Sequence, residues 1–129
     1  MPGSVATTRG LEVRVESHYV PEKSDPDAGG WFFAYTVELT NTSEEPMQLI
    51  SRHWVITDAD GKVEEVRGPG VVGAQPVLQP GESFRYTSAC PLRTAFGTMH
   101  GTYQMVTEAG DAFDAEVGAF TLSTPYALN

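Results

Sequence analysis

Cysteine is nearly absent from this sequence: Cys90 stands alone, so no disulfide can form within the chain. A single thiol suits a reducing compartment, and the expected address is cytoplasmic. Long apolar runs are missing as well, which excludes a membrane-spanning helix. The first nine residues, Met1 to Arg9, have no basic stretch followed by an apolar core. They read as a flexible lead-in and not as a secretory signal. Basic charge is scarce, with 8 Lys and Arg against 17 Asp and Glu and a formal net charge of -9. Because nucleic-acid binding depends on cations displacing counterions from phosphates, the charge argues against nucleic acid and disfavours anionic membrane surfaces as partners. Basic partners or cations remain compatible with the charge.

Metal-ligand and nucleophile patterns are equally thin. His18, His53 and His100 lie far apart, and Cys90 has neither a cysteine partner nor a nearby histidine. No zinc site and no catalytic nucleophile is expected. Asp58-Ala59-Asp60-Gly61 is too short for a calcium loop and reads as a hairpin turn. No cofactor is implied.

What is present is alternation. With 129 residues, 40% of them apolar, the chain suits one domain that buries roughly two-thirds of its unfolded surface. Leu11, Val13, Val15 and Tyr19 alternate with polar residues, and Trp31, Phe33, Tyr35, Val37 and Leu39 repeat the period across a candidate central strand. Met47 to Thr57 carries apolar residues at both parities, which predicts a strand at least partly covered on both faces. Lys62 to Arg67 is charged enough for a sheet edge. Leu78-Gln79-Pro80-Gly81-Glu82-Ser83-Phe84 has the spacing of an inter-sheet corner closed by an aromatic residue, and Trp54 is expected in the core. Pro91 to Thr98 reads as a loop, Met99 to Val117 as a hairpin. Apolar parity flips between Val117 and Phe120, which predicts a bulge at Gly118. About seven or eight short antiparallel strands without a helical period predict an all-β sandwich of immunoglobulin-like or fibronectin type III-like kind, spanning residues 10–129.

Gly68-Pro69-Gly70-Val71-Val72-Gly73 has the glycine spacing of a dinucleotide-binding turn. That turn works by opening a helix whose N-terminal amides hold pyrophosphate, and Pro76 and Pro80 leave no room for one. The glycines read first as a crossing loop with positive φ. A second reading is a nest of backbone amides cupping a small anion, with Arg67, Gly68, Gly70 and Gly73 as its residues. Arg52, His53, Arg93 and Phe96 are candidate partner-binding residues, being bulky or cationic groups on strand or loop surface.

Several blocks carry a family resemblance. Phe32 to Val37, Gln48 to Thr57, Glu65 to Pro76, Pro80-Gly81-Glu82, Tyr86-Thr87-Ser88 and Gly97 to Tyr103 resemble, in the same order, the ApaG family. The resemblance covers about Gly10 to Asn129. It implies a fibronectin-type sandwich without established catalytic residues, in a family associated with cobalt resistance and magnesium efflux. It also implies likeness to domains of eukaryotic F-box proteins and of a polymerase-interacting protein that look like protein-binding modules. His53 departs from the family, which usually has Tyr there.

Three functions follow as expectations: a non-catalytic protein-interaction module, a small-anion binder for pyrophosphate or dinucleoside polyphosphates at Arg67 and the glycine loop, and a divalent-cation sensor on the acidic surface.

Overall fold

The computed structural model describes residues 2–125, and among them nine antiparallel strands form two sheets. They are β1 (Gly3–Thr8), β2 (Leu11–Tyr19), β3 (Trp31–Asn41), β4 (Met47–Asp58), β5 (Val63–Pro69), β6 (Val77–Leu78), β7 (Ser83–Leu92), β8 (Phe96–Thr107) and β9 (Ala112–Ser123). One sheet runs β1-β2-β3-β7. The other runs β5-β4-β8-β9, with β6 added beside β4. Their inward residues interdigitate as one core, the arrangement that hides a single apolar face of each sheet.

Strict alternation built β2 and β3 as expected. Val13, Val15, Phe33, Val37 and Leu39 are buried, and β3 is an interior strand of its sheet. Trp54 lies at the centre of the core, with Tyr35 at 5.4 Å and Tyr103 and Phe120 each at 6.0 Å between ring centroids. The edge-on geometry of all three pairs is one that aromatic quadrupoles favour. The bulge predicted at Gly118 is present: Met99 pairs with Phe120 and Gly101 with Val117, so Gly118 and Ala119 together face His100. Both Val117 and Phe120 thereby point inward.

Three expectations need correction. Residues 3–8 of the supposed lead-in are strand β1, paired along its whole length with β2. Its polar Ser and Thr carry little apolar signal, yet they bind across to β9, where Ser4 Oγ donates to the Gly118 carbonyl (2.6 Å) and the Glu116 amide donates to Thr8 Oγ1 (3.1 Å). Both faces of β4 are at least partly covered, as the mixed parity of Met47 to Thr57 predicts, since outward Ser51, His53 and Val55 are half-buried, but the parity change itself has a local cause. The register slips between Leu49 and Ser51, Ile50 is squeezed out, and the buried set changes from Met47 and Leu49 to Trp54 and Ile56. The Pro91 to Thr98 loop shrinks to three residues, since β7 runs to Leu92 and β8 begins at Phe96. The strand count rises to nine because β1 and the two-residue β6 were not foreseen.

Asn41 holds the corner between β3 and β4. Fully buried, it donates through Nδ2 to the carbonyls of Glu45 and Leu78, both at 2.9 Å, and accepts through Oδ1 from the amide and hydroxyl of Ser43. A buried amide with its hydrogen bonds satisfied is a geometric pin, because any shift would strand polar groups away from water.

Candidate functional site

The bulge at Ile50 determines what the outer face of the second sheet displays. Beyond it Ser51, His53 and Val55 turn outward, and the register sets His53 between Arg67 of β5 and Thr102 of β8. His53 Nε2 lies 2.7 Å from Glu65 Oε1, and Arg67 Nη2 lies 3.7 Å from the same oxygen. One row along, Ser51 Oγ donates to Gln104 Oε1 and Gln104 Nε2 donates to Thr102 Oγ1, both at 2.8 Å. These side chains floor an open depression of about 560 Å³ whose rim is Arg67, Pro69 and Asp114.

The glycine segment closes one end of this face. Gly68 lies opposite Arg52, and a Cβ there would sit 2.9 Å from Arg52 Nη1. Lacking one, Gly68 lets the guanidinium lie against the strand and donate to the carbonyls of Pro69 (3.0 Å) and Gly70 (2.9 Å). A Cβ on Gly70, at φ +59, would collide with the Ala74 carbonyl oxygen. Val71 and Ala74 exchange both main-chain hydrogen bonds, so Val72 and Gly73, at φ 42 and 82, are the two central residues of a tight hairpin. The chain then runs back along β4, where Gln75 Nε2 donates to the Ile50 carbonyl and the Leu49 amide donates to that of Pro76.

The structure therefore brings Arg52, His53, Arg67, Gly68, Gly70 and Gly73 to one end of the sheet and leaves Arg93 and Phe96 elsewhere. Arg93 belongs to the turn beyond β7, and Phe96 opens β8 beside the far end of β4, about 20 Å away by strand rise. Within the loop, amides point inward: Gly70 donates to Ile50, Val71 to Ala74 and Ala74 to Val71. Arg52 spends its charge on carbonyls. Among the described residues no three of His, Cys, Asp and Glu converge as metal ligands would.

Sequence reading missed the apolar side chains that this end presents. Ile50, Val72 and Val77 are 37%, 61% and 53% exposed, and all three border the strip from Gly70 to Leu78 along β4. The only signal was the mixed parity around Ile50, which marks a bulge.

Two sheets with an inter-sheet aromatic core and an open polar face at one end define an antiparallel sandwich of the fibronectin type III kind. The ApaG domain family matches residues 21–107, and the chain belongs to that family. It is 56% identical over 119 residues to Protein ApaG of Beijerinckia indica, covering 92% of each chain. Protein ApaG of Dechloromonas aromatica is also 56% identical, over 92% of this chain and 94% of its own. A crystal structure of the ApaA protein from Bordetella pertussis superposes with a TM-score of 0.88 at 52% identity, covering 97% of both chains. The C-terminal domain of wzt, at 8% identity and a TM-score of 0.55, shares the fold alone.

Proposed function

We propose that this chain is a protein-docking module whose contact surface is the glycine-loop end of the second sheet. The observation that carries the reading is Val72. A β-branched apolar residue is poorly suited to positive φ, yet Val72 occupies φ 42 at a hairpin tip where Asn or Gly would fit without strain, and it buries little of its surface there. Fold stability does not account for that choice. A requirement for an apolar contact beyond the chain does, since such residues cost stability where they stand and clusters of them mark interaction sites. Ile50 and Val77 extend the same surface, and the exposed Arg67 with Glu65 supplies a polar rim, as interfaces commonly have.

Co-purification from native lysate tests the reading, with wild type beside Val72→Asn and, on the opposite sheet, Val5→Asn. A specific partner kept by Val5→Asn and lost by Val72→Asn is the expected result. Recovery of no specific partner, or equal recovery by both variants, counts against it.

A further inference from the structure

β5 ends its sheet, and among the described residues it pairs with β4 as its long partner and with no strand on its other side. In an antiparallel ladder, opposed residues alternate between pairs that exchange both main-chain hydrogen bonds and pairs that exchange none. Two bonds set the phase here. The Asp58 amide donates to the Lys62 carbonyl (3.0 Å), and the Gly70 amide to the Ile50 carbonyl (2.9 Å). The register is unbroken between them, so Glu64, Val66 and Gly68 bond to β4. Val63, Glu65 and Arg67 must then turn their N–H and C=O groups away from the sheet. Beyond Arg67 the edge closes, since Pro69 has no N–H and its carbonyl accepts from Arg52.

Free main-chain groups of this kind are a template for another strand. We propose that β5 pairs with β5 of a second copy of this chain, antiparallel about a two-fold axis through Val66. In that register Glu65 faces Arg67 of the second copy and Arg67 faces Glu65 of the second copy, so the outward N–H and C=O groups meet in two reciprocal pairs. Val63, 57% exposed, lies opposite the exposed Pro69 of the second copy at each end. The side chains select this register. A slip of the axis toward the start of the strand puts Glu65 against Glu65, and a slip toward its end puts Arg67 against Arg67. Like charges directly opposite destabilise a strand pair. A two-fold interface needs a self-complementary patch, and the order Val63, Glu65, Arg67, Pro69 read against its own reverse is one. Edge pairing alone buries less than the roughly 1,200 Å² typical of stable complexes, so the dimer is weak and concentration-dependent.

Sedimentation equilibrium of the full chain, from micromolar to millimolar concentration at about 0.15 M salt, tests the pairing; that salt screens the general repulsion between acidic copies. Wild type is expected to follow a monomer–dimer equilibrium. Arg67→Glu and Glu65→Arg should each weaken it about tenfold or more by opposing like charges. The double reversal, Glu65→Arg with Arg67→Glu, should restore it, because unlike charges face each other again. Circular dichroism confirms that each variant is folded. A wild type that stays monomeric, an association indifferent to Arg67→Glu, or a folded double reversal that fails to recover would each overturn the proposal.

Discussion

The hydroxyls of Tyr86 and Tyr103 meet at 2.5 Å inside the core, joining β7 of one sheet to β8 of the other. Both side chains are buried, so each oxygen depends on the other for a partner. Removing one hydroxyl strands the second. Tyr86→Phe or Tyr103→Phe is expected to cost about 1–3 kcal/mol in urea unfolding, whereas the double Phe variant should cost less than the sum of the two. Additive losses would mean that the two hydroxyls act independently.

Alkaline pH should loosen the same region. Burial raises Tyr86 and Tyr103 above the ordinary tyrosine value of 10.0, and it raises Tyr35 in the same direction. Burial, with a smaller contribution from the Glu64 charge, pushes the Cys90 thiol from 9.0 up to about 11. For groups whose folded value is raised, the stabilisation is complete below the unfolded value and disappears as pH climbs through the folded one. Unfolding free energy should therefore stay level toward pH 9.0, fall first as Cys90 begins to ionise on unfolding, and fall faster beyond 10.0 as the tyrosines join. Urea titrations across this range read the slope. Cys90→Ala should flatten its first part, and a stability that rises with pH would contradict the assignment.

Two glycines of one loop should respond differently to alanine. Gly73 has positive φ but open space around it, so Gly73→Ala should cost about 1–2 kcal/mol, the penalty for placing a side chain in the left-handed region. Gly70 has positive φ and the Ala74 carbonyl against it, so Gly70→Ala must also break the loop closure and should cost clearly more. Thermal unfolding of the two variants side by side gives the comparison.

Val72→Asn should raise stability by about 0.5–1 kcal/mol, because asparagine tolerates the left-handed region that valine resists. The same substitution is expected to abolish partner capture. A gain in melting temperature with a loss of binding separates a contact residue from a structural one.

How much of this was legible in the sequence depended on whether burial followed a simple period. Val13, Val15, Phe33, Val37 and Leu39 alternate without interruption, and the strands they build are where alternation placed them. At Ile50 one extra residue inverts the parity, and periodicity alone does not separate such a bulge from a strand with cover on both faces. The matching inversion at Gly118 was readable because glycine marks it. Residues 3–8 hold their place through hydroxyl contacts and main-chain pairing, which leave almost no hydrophobic trace. The candidate site was half visible. Arg67 and His53 stand on the exposed face, but Arg52 looked equally available and instead serves the loop carbonyls, a role that only Gly68 across the ladder reveals.

Asn41→Ala should loosen the corner between β3 and β4. It would leave the Leu78 and Glu45 carbonyls and the Ser43 hydroxyl without a shared partner, at a cost of roughly 2–4 kcal/mol. Hydrogen exchange should rise in the Thr42 to Pro46 turn and in β6, while β2 stays protected.

The seam between the first and last strands bears on how the chain acquires its shape during synthesis. Ser17 touches both ends of the sequence order, donating through its hydroxyl to the Thr121 carbonyl and through its amide to that of Pro2. A growing chain that has not yet released β9 can zip β1, β2 and β3 together and cover them in part with β4 and β8, but the ground beneath Val117, Phe120 and Leu122 stays bare. Those three side chains arrive only with β9, Ala112–Ser123, so the apolar surface they cover stays open to wrong contacts until that strand is added.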